Sequence, residues 1–83
     1  MSIDVGPRVT KVKALESLEL QLEFDNGECR TFDCKPFISR GVFKDLSDLV
    51  YFKRVVVRDG TVVWPKGQDF CPDTLYQGSI LVA

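Results

Sequence analysis

The segment Leu18–Phe24 alternates apolar and polar residues without interruption, in the order Leu-Glu-Leu-Gln-Leu-Glu-Phe. This period of two is typical of a β-strand with one buried face and one solvated face. Asp25, Asn26 and Gly27 follow directly and predict a turn, after which Cys29–Cys34 returns as a second strand. The chain therefore contains a hairpin that presents its leucine face to the core.

Two registers fit this hairpin. A two-residue turn at Asn26-Gly27 pairs Leu20 with Asp33 and points Phe32 away from the leucine face. A type I turn with a bulge, with Gly27 in the left-handed conformation, pairs Leu20 with Phe32 instead. Burying a phenylalanine is worth about 1.5–3 kcal/mol, more than a turn-type preference should cost, so the bulged register is predicted. Its other cross-strand pairs are Phe24 with Glu28 and Leu18 with Cys34.

The stretch Val42–Tyr51 has a helical period. Its apolar residues recur at spacings of three and four, with charged and polar residues between them, which predicts one short amphipathic helix. The apolar face comprises Phe43, Leu46, Leu49 and Val50.

A second hairpin is predicted from Val55–Arg58 and Thr61–Trp64, which flank the strong two-residue turn signal Asp59-Gly60. A two-residue turn divides its apolar residues between two faces. This pattern indicates a central position in a sheet, or a second face covered by a partner. One face carries Val55, Val57, Val62 and Trp64, and the other carries Val56 and Val63.

The remaining elements lie at the two ends of the chain. Arg8–Leu15 is a first strand, and Pro72 is typical of the first turn of a closing helix that Cys71 caps and Gly78 ends. Residues 79–83 form either an edge strand or a loosely docked tail. The order is strand-strand-strand-helix-strand-strand-helix, which predicts a single two-layer α+β domain over residues 1–83 with a mainly antiparallel sheet.

The composition is that of one small domain without an evident reaction centre. The chain has 83 residues, a formal net charge of −1 and no histidine, so the commonest general base and most zinc ligand sets are missing. No apolar run approaches the ~18 residues of a membrane span, and the first residues do not resemble a signal peptide. Three cysteines without an export signal indicate free thiols in the cytoplasm. We expect no cofactor, no metal site and no membrane contact.

Several segments match one known family. They are Phe24-Asp25-Asn26-Gly27-Glu28, Phe32-Asp33, Gly41-Val42-Phe43 with Leu46, Phe52 with Val55, and Trp64-Pro65-Lys66-Gly67-Gln68-Asp69-Phe70-Cys71-Pro72-Asp73-Thr74-Leu75-Tyr76. In these segments the chain resembles DUF2442, a widespread bacterial family of domains of unknown function. The resemblance runs from about Val9 to Tyr76, and the last of these segments is its most specific part.

The resemblance implies a small α+β domain, encoded alone or ahead of a helix-turn-helix segment. It also implies that stand-alone members often lie beside a gene for another small protein, in an arrangement like a toxin–antitoxin pair. The family has no established catalytic residue, so none is carried over. Nothing after Tyr76 is long enough to form a helix-turn-helix, and we therefore do not expect this chain to read DNA directly.

The segment Trp64–Tyr76, termed the recognition segment below, is the candidate interaction site. In one interpretation aromatic residues supply contact area and carboxylates supply hydrogen-bond acceptors. In the other, its aromatic residues pack in the core while Asp69 holds backbone donors ahead of the closing helix. A small domain needs such core residues, so the structural role is favoured. The candidate residues are Trp64, Asp69, Phe70, Asp73 and Tyr76.

Three further features have both a structural and a functional interpretation. Asp33 is predicted to be a structural hydrogen-bond acceptor, because a lone carboxylate needs a partner for acid–base work. Cys71 is predicted to be a small cap residue, because no histidine is present to activate its thiol. A basic group could contact nucleic-acid phosphates, but nearby glutamates dilute its field and no aromatic stacking motif accompanies it. The basic group comprises Lys11, Lys13, Lys53, Arg54 and Arg58.

These observations favour a non-enzymatic interaction domain, antitoxin-like or regulatory, that binds a small protein partner or itself. The hypothesis is based on the expected open strand edges, on the second hairpin with apolar residues on both faces, and on the lack of a recognisable set of catalytic residues. The alternative is a nucleic-acid-associated transcriptional regulator without its own helix-turn-helix.

Overall fold

A computed structural model describes residues 7–39 and 41–82. Two short 3-10 helices, Lys35–Phe37 and Gly41–Ser47, accompany the strands and α-helices of this part of the chain. The strands and α-helices are β1 (Val9–Ala14), β2 (Glu19–Phe24), β3 (Cys29–Asp33), α1 (Leu49–Phe52), β4 (Val56–Arg58), β5 (Thr61–Val63), β6 (Asp69–Phe70), α2 (Pro72–Gln77) and β7 (Ser79–Leu81).

The strands form two antiparallel sheets, so the α+β prediction is confirmed, although the strand and helix order is matched only loosely. The four-stranded sheet has the order β1-β2-β3-β7, and the three-stranded sheet has the order β4-β5-β6. One face of the four-stranded sheet faces solvent and is polar on β1, β2 and β3 except for Cys29, and the other face contributes to the core. The buried apolar residues are Val9, Leu20, Leu22, Phe24, Phe32, Cys34, Leu46, Phe52, Val62, Trp64, Phe70 and Leu75.

The first hairpin adopts the predicted bulged register. Leu20 pairs with Phe32, and the backbone N–H of Phe24 donates to the carbonyl of Glu28 at 2.9 Å. Gly27 has a φ of +89°, a left-handed conformation that glycine adopts without the strain of a side chain. Burial of Phe32 therefore decides the register, as expected from its apolar area.

The second hairpin is also confirmed, with Val57 paired to Val62 and Val56 paired to Val63. Asp59 and Gly60 have φ values of +53° and +80°, which fits the two-residue turn that matches strand twist. β5 is the central strand of its sheet, as one of the two predicted arrangements requires. β4 is an edge, and Val56 on it remains exposed.

The single amphipathic helix predicted over Val42–Tyr51 is wrong. The segment forms the 3-10 helix Gly41–Ser47 and then α1, because Asp48 takes an extended conformation between them. The carboxylate of Asp48 accepts the N–H of Val50 at 3.1 Å and so begins a new helix. Val50, predicted on the apolar face, is 77% exposed.

The C-terminal elements show whether the chain ends in an edge strand or in a loose tail. α2 begins at Pro72 after Cys71 and ends before Gly78, as predicted, and it buries Leu75. Residues 79–81 then form the edge strand β7 on β3 and not a loose tail, although Ala83 lies outside the described residues. The short strand β6 was not predicted, because its two residues carry no readable period.

No helix in the described part of the chain is long and apolar enough to cross a membrane. The expectation about a signal peptide rests on residues 1–6, which lie outside the described residues.

Candidate functional site

The recognition segment begins with a buried tryptophan. Trp64 follows β5, and its indole N–H donates to the backbone carbonyl of Phe52 at 2.9 Å. Its ring lies 5.9 Å, centroid to centroid, from the rings of both Phe52 and Phe70. Trp64 thereby fastens the end of the second hairpin to α1 and offers almost no surface to a partner.

Phe70 is the centre of an aromatic cluster. Its ring stacks on Phe43 at a centroid distance of 4.9 Å and meets Phe32 edge-on at 5.1 Å. Phe37 contacts it from a third side at 5.4 Å. These contacts join both sheets to the two 3-10 helices, so Phe70 has a packing role.

The two carboxylates of the recognition segment lie at the surface. Asp69 is exposed on β6, where its backbone pairs with Val63. Asp73 is exposed in the first turn of α2, a position that suits a negative charge beside the helix dipole. Among the described residues the carboxylate of Asp69 makes no hydrogen bond, so the suggested role in holding backbone donors is not observed.

Tyr76 belongs to a cluster of polar side chains, termed the Arg30 cluster, that also contains Glu28, Arg30 and Ser79. The Arg30 guanidinium lies 4.3 Å from the centre of the Tyr76 ring and donates to the hydroxyl of Ser79 at 2.8 Å. Arg30 and Tyr76 both donate to one carboxylate oxygen of Glu28, at 2.8 and 2.9 Å. The cluster joins α2 and the start of β7 to the first hairpin.

The Arg30 cluster lowers the pKa of Glu28. The hydroxyl of Tyr76 is the main cause, and the adjacent guanidinium of Arg30 reinforces it, because both stabilise the ionised carboxylate. A lowered pKa in the folded state stabilises the fold at neutral pH. This contribution is lost as the pH falls through the lowered value.

We expect Tyr76→Phe to raise the pKa of Glu28 toward its ordinary value, because the hydrogen bond is lost while the ring over Arg30 is kept. The measurement is a carboxyl carbon titration by nuclear magnetic resonance. Tyr51→Phe, which removes a hydroxyl that does not contact Glu28, is the matched control. An unchanged Glu28 titration in Tyr76→Phe would contradict the assignment.

Gln68 was not singled out from the sequence, yet it is the most completely bonded side chain of the recognition segment. It is only 5% exposed, and its side-chain oxygen accepts the hydroxyl of Tyr51 at 2.6 Å. Its amide nitrogen donates to the carbonyl of Val42 at 2.9 Å and to a carboxylate oxygen of Asp45 at 3.3 Å. Lys66 donates its backbone N–H to the Tyr51 hydroxyl at 2.9 Å.

These residues form the Gln68 cluster (Val42, Asp45, Tyr51, Lys66 and Gln68). Three of them, Asp45, Tyr51 and Lys66, line a surface pocket of about 230 Å³ together with Lys44, Ser47 and Asp48. A glutamine in a loop is normally expected to be exposed to solvent, so the sequence does not indicate that Gln68 is buried. Every polar atom of its amide has a protein partner. The cluster therefore holds the loop after β5 against α1 and the preceding 3-10 helix.

A family model described as a protein of unknown function (DUF2442) matches residues 9–80 of the chain. The chain belongs to the DUF2442 family. No curated protein and no solved structure gives a significant match. The match includes the recognition segment, the Arg30 cluster and the Gln68 cluster, which are therefore part of the DUF2442 domain.

The surroundings of Asp33, Cys34 and Cys71 in this DUF2442 domain differ. Partial burial tends to raise the pKa of Asp33, but the backbone N–H of Lys35 at 2.9 Å and its ammonium group at 3.1 Å hold it below its ordinary value. Burial raises the pKa of the Cys34 thiol to about 12. Cys71 is exposed at the start of α2, and its side chain makes no capping hydrogen bond.

The basic group of the DUF2442 domain is partly neutralised. Lys11 lies 3.7 Å from Glu23, and Lys53 lies 3.7 Å from Glu16. Arg54 and Arg58 are exposed at the edge of the second hairpin. They border a surface depression of about 400 Å³ whose other lining residues include Val56 and Val63.

Of the four sheet edges in the described part of the domain, three carry charges. β1 has Lys11 and Lys13, β4 has Arg58, and β6 has Asp69. The edge strand β7 has none, and its apolar side chains stand in solvent: Ile80 is 74% exposed, Leu81 53% and the following Val82 55%. Natural proteins usually protect a strand edge with charged side chains. β7 therefore offers an unprotected apolar edge.

Proposed function

We propose that the chain is a non-catalytic interaction domain that binds a protein strand at the free edge of β7. The exposed side chains of Ile80, Leu81 and Val82, beside an edge without charges, carry this proposal. A strand added there forms main-chain hydrogen bonds with β7 and buries the apolar side chains. The four-stranded sheet is the platform on which this edge is displayed.

The other side chains considered for chemistry support a binding role. Asp33 is engaged by Lys35, and Cys34 is a buried thiol whose pKa is raised to about 12. Within the recognition segment, Trp64 and Phe70 are committed to the core. The proposal places the domain in the reducing cytoplasm, where free cysteines such as Cys71 stay reduced.

The proposal includes an antitoxin-like or regulatory role, in which the bound protein is the small product of a neighbouring gene. The resemblance to family members with such neighbours supports this part. The nucleic-acid alternative stays a prediction that draws on exposed Arg54 and Arg58. We favour the protein partner because an exposed valine lies between these arginines and the only tryptophan beside them, Trp64, is buried and cannot stack on a base.

The test is co-expression of the chain with the small protein encoded beside its gene, followed by size-exclusion chromatography with light scattering. We expect the wild type to be in a complex, with its neighbour or with itself, and Ile80→Lys to weaken that complex at least tenfold. Val50→Lys is the matched control, because Val50 is an equally exposed aliphatic residue on α1. A monomer in every mixture and at every concentration would overturn the proposal, as would an Ile80→Lys complex of unchanged stability.

A further inference from the structure

We infer that the strand bound at the β7 edge is β7 of a second copy of this chain, paired antiparallel about a two-fold axis at Leu81. The inference rests on the proposed function and names its partner. It follows from which backbone groups face the free edge, from the side chains that the two-fold brings together, and from the charge of the strand.

The hydrogen bonds between β3 and β7 identify the backbone groups at the free edge. The N–H of Val82 donates to the carbonyl of Cys29 at 2.8 Å, and Ile80 lies opposite Thr31 two residues earlier. In an antiparallel pair, hydrogen-bonded and non-bonded positions alternate along the strand. Leu81, which lies between them, therefore directs its N–H and C=O away from β3.

The opposite side of β3 supports this alternation. Phe24 donates its N–H to the carbonyl of Glu28, and Cys34 donates its N–H to the carbonyl of Leu18. The even-numbered residues of β3 therefore direct their N–H and C=O groups toward β2. The backbone groups of Cys29 and Thr31 point the other way and form hydrogen bonds with β7. The free edge of β7 is then a regular continuation of the sheet.

A two-fold axis at Leu81 uses these groups reciprocally. The N–H of each Leu81 donates to the carbonyl of the other, which forms the paired hydrogen bonds of an antiparallel ladder. The same register brings Ile80 opposite Val82 of the second copy, twice, on the outer face of the sheet. Each exposed apolar side chain of the edge is covered by another, and the two four-stranded sheets become one of eight strands.

The charge of the strand favours a second copy over a different partner. In a two-fold pairing, a charged residue near the axis lies close to the same charge of the second copy, which costs free energy. A strand that binds a different partner can carry charges that the partner complements. Residues 79–82 are Ser-Ile-Leu-Val, with no charge at all, so self-pairing meets no repulsion within the strand.

The expected dimer is weak. Three exposed side chains per copy form a smaller contact than the roughly 800 Å² per partner of a standard interface. We therefore expect a concentration-dependent monomer–dimer equilibrium with rapid exchange. Because the contact is apolar and uncharged, its dissociation constant should change little with salt.

The first experiment is sedimentation equilibrium of the purified chain alone, from low micromolar to millimolar concentration. The wild type and Val50→Lys should dimerise alike, and Ile80→Lys should raise the dissociation constant at least tenfold, with circular dichroism checking the fold of each. A wild type that stays monomeric throughout would overturn the inference. The proposed function would survive that result if the wild-type chain still bound the neighbouring gene product through β7.

The second experiment replaces one amide hydrogen by a methyl group and keeps every side chain. Cys71 allows a synthetic peptide covering residues 71–83 to be ligated to a recombinant thioester ending at Phe70. N-methylation of Leu81 in that peptide should abolish dimerisation and leave the midpoint of urea unfolding unchanged, because this N–H has no acceptor among residues 7–39 and 41–82. The unmethylated ligation product is the control. A lowered unfolding midpoint, or a dimer of unchanged strength, would contradict the inference.

Discussion

Trp64→Ala is expected to remove a large part of the free energy of unfolding. Removing a buried tryptophan costs about 3–5 kcal/mol through lost burial and the cavity left behind, against a total stability of about 5–15 kcal/mol for a small domain. The substitution also leaves the carbonyl of Phe52 without its indole donor. The measurement is urea unfolding followed by far-ultraviolet circular dichroism, because the only tryptophan is removed.

Trp64→Phe is the matched variant, because it keeps a ring beside Phe70 and loses the N–H and part of the volume. We expect it to cost less than half of what Trp64→Ala costs. If Trp64→Ala instead unfolded at the wild-type urea concentration and failed to bind a partner, Trp64 would be a recognition residue. The core role assigned to it would then be wrong.

Gln68→Leu is expected to be the most destabilising change of a polar residue in the recognition segment, by about 2–4 kcal/mol. It removes the acceptor of the Tyr51 hydroxyl, which keeps only the N–H of Lys66, and it removes the donor to the Val42 carbonyl. A polar group away from water that loses its partner costs about 1–3 kcal/mol. Urea unfolding measures the loss. Gln77→Leu, at an exposed position of α2, should change stability by less than about 0.5 kcal/mol.

The double variant with Tyr51→Phe separates the hydrogen bond from the rest of the effect. Because the two side chains share one bond, the second substitution should cost less in the presence of the first, by about 1 kcal/mol. Additive losses would show that Gln68 acts through packing alone. A loss in Gln68→Leu no larger than in Gln77→Leu would contradict the role of the cluster.

Both hairpins could be predicted because the residues that determine them are close together in the sequence. Alternating side chains define which face of each strand is buried, and the residues at the turn define the pairing. The position of Phe32 on the leucine face decided between two registers, and the structure has that register. Long, strongly periodic segments are the part of a fold that single-sequence patterning describes best.

The segment from Val42 to Tyr51 was misassigned because a local side-chain bond competes with its period. Apolar residues at spacings of three and four predict a continuous helix, but Asp48 accepts the N–H of Val50 and interrupts it. An aspartate is equally compatible with the solvated face of a helix and with a cap. Only the contacts of Leu46 and Phe52 with the rest of the core distinguish the two.

Within the recognition segment a packing role was favoured for the aromatic residues, and Trp64 and Phe70 are buried, but the contacts that they make could not be predicted. Aromatic residues in a specific motif can serve packing or recognition, and burial of Trp64 and Phe70 depends on strands far away in the sequence. Neither Gln68 nor the two-residue strand β6 gives a periodic pattern in the sequence. Their positions depend on partners in other elements, which the sequence does not identify. The edge position of β7 likewise depends on its pairing with β3, which no local pattern encodes.

The links made by Gln68 and Phe70 mean that the domain has no independently foldable half. Residues 41–52 receive their shape from side chains that come some twenty residues later, through the Val42 carbonyl, the Tyr51 hydroxyl and the ring of Phe43. A fragment that ends before Gln68 would lack Phe70, which covers Phe32 on the apolar face of the first hairpin. Ordering of the short helices and closure of the core should consequently occur together, as one cooperative event.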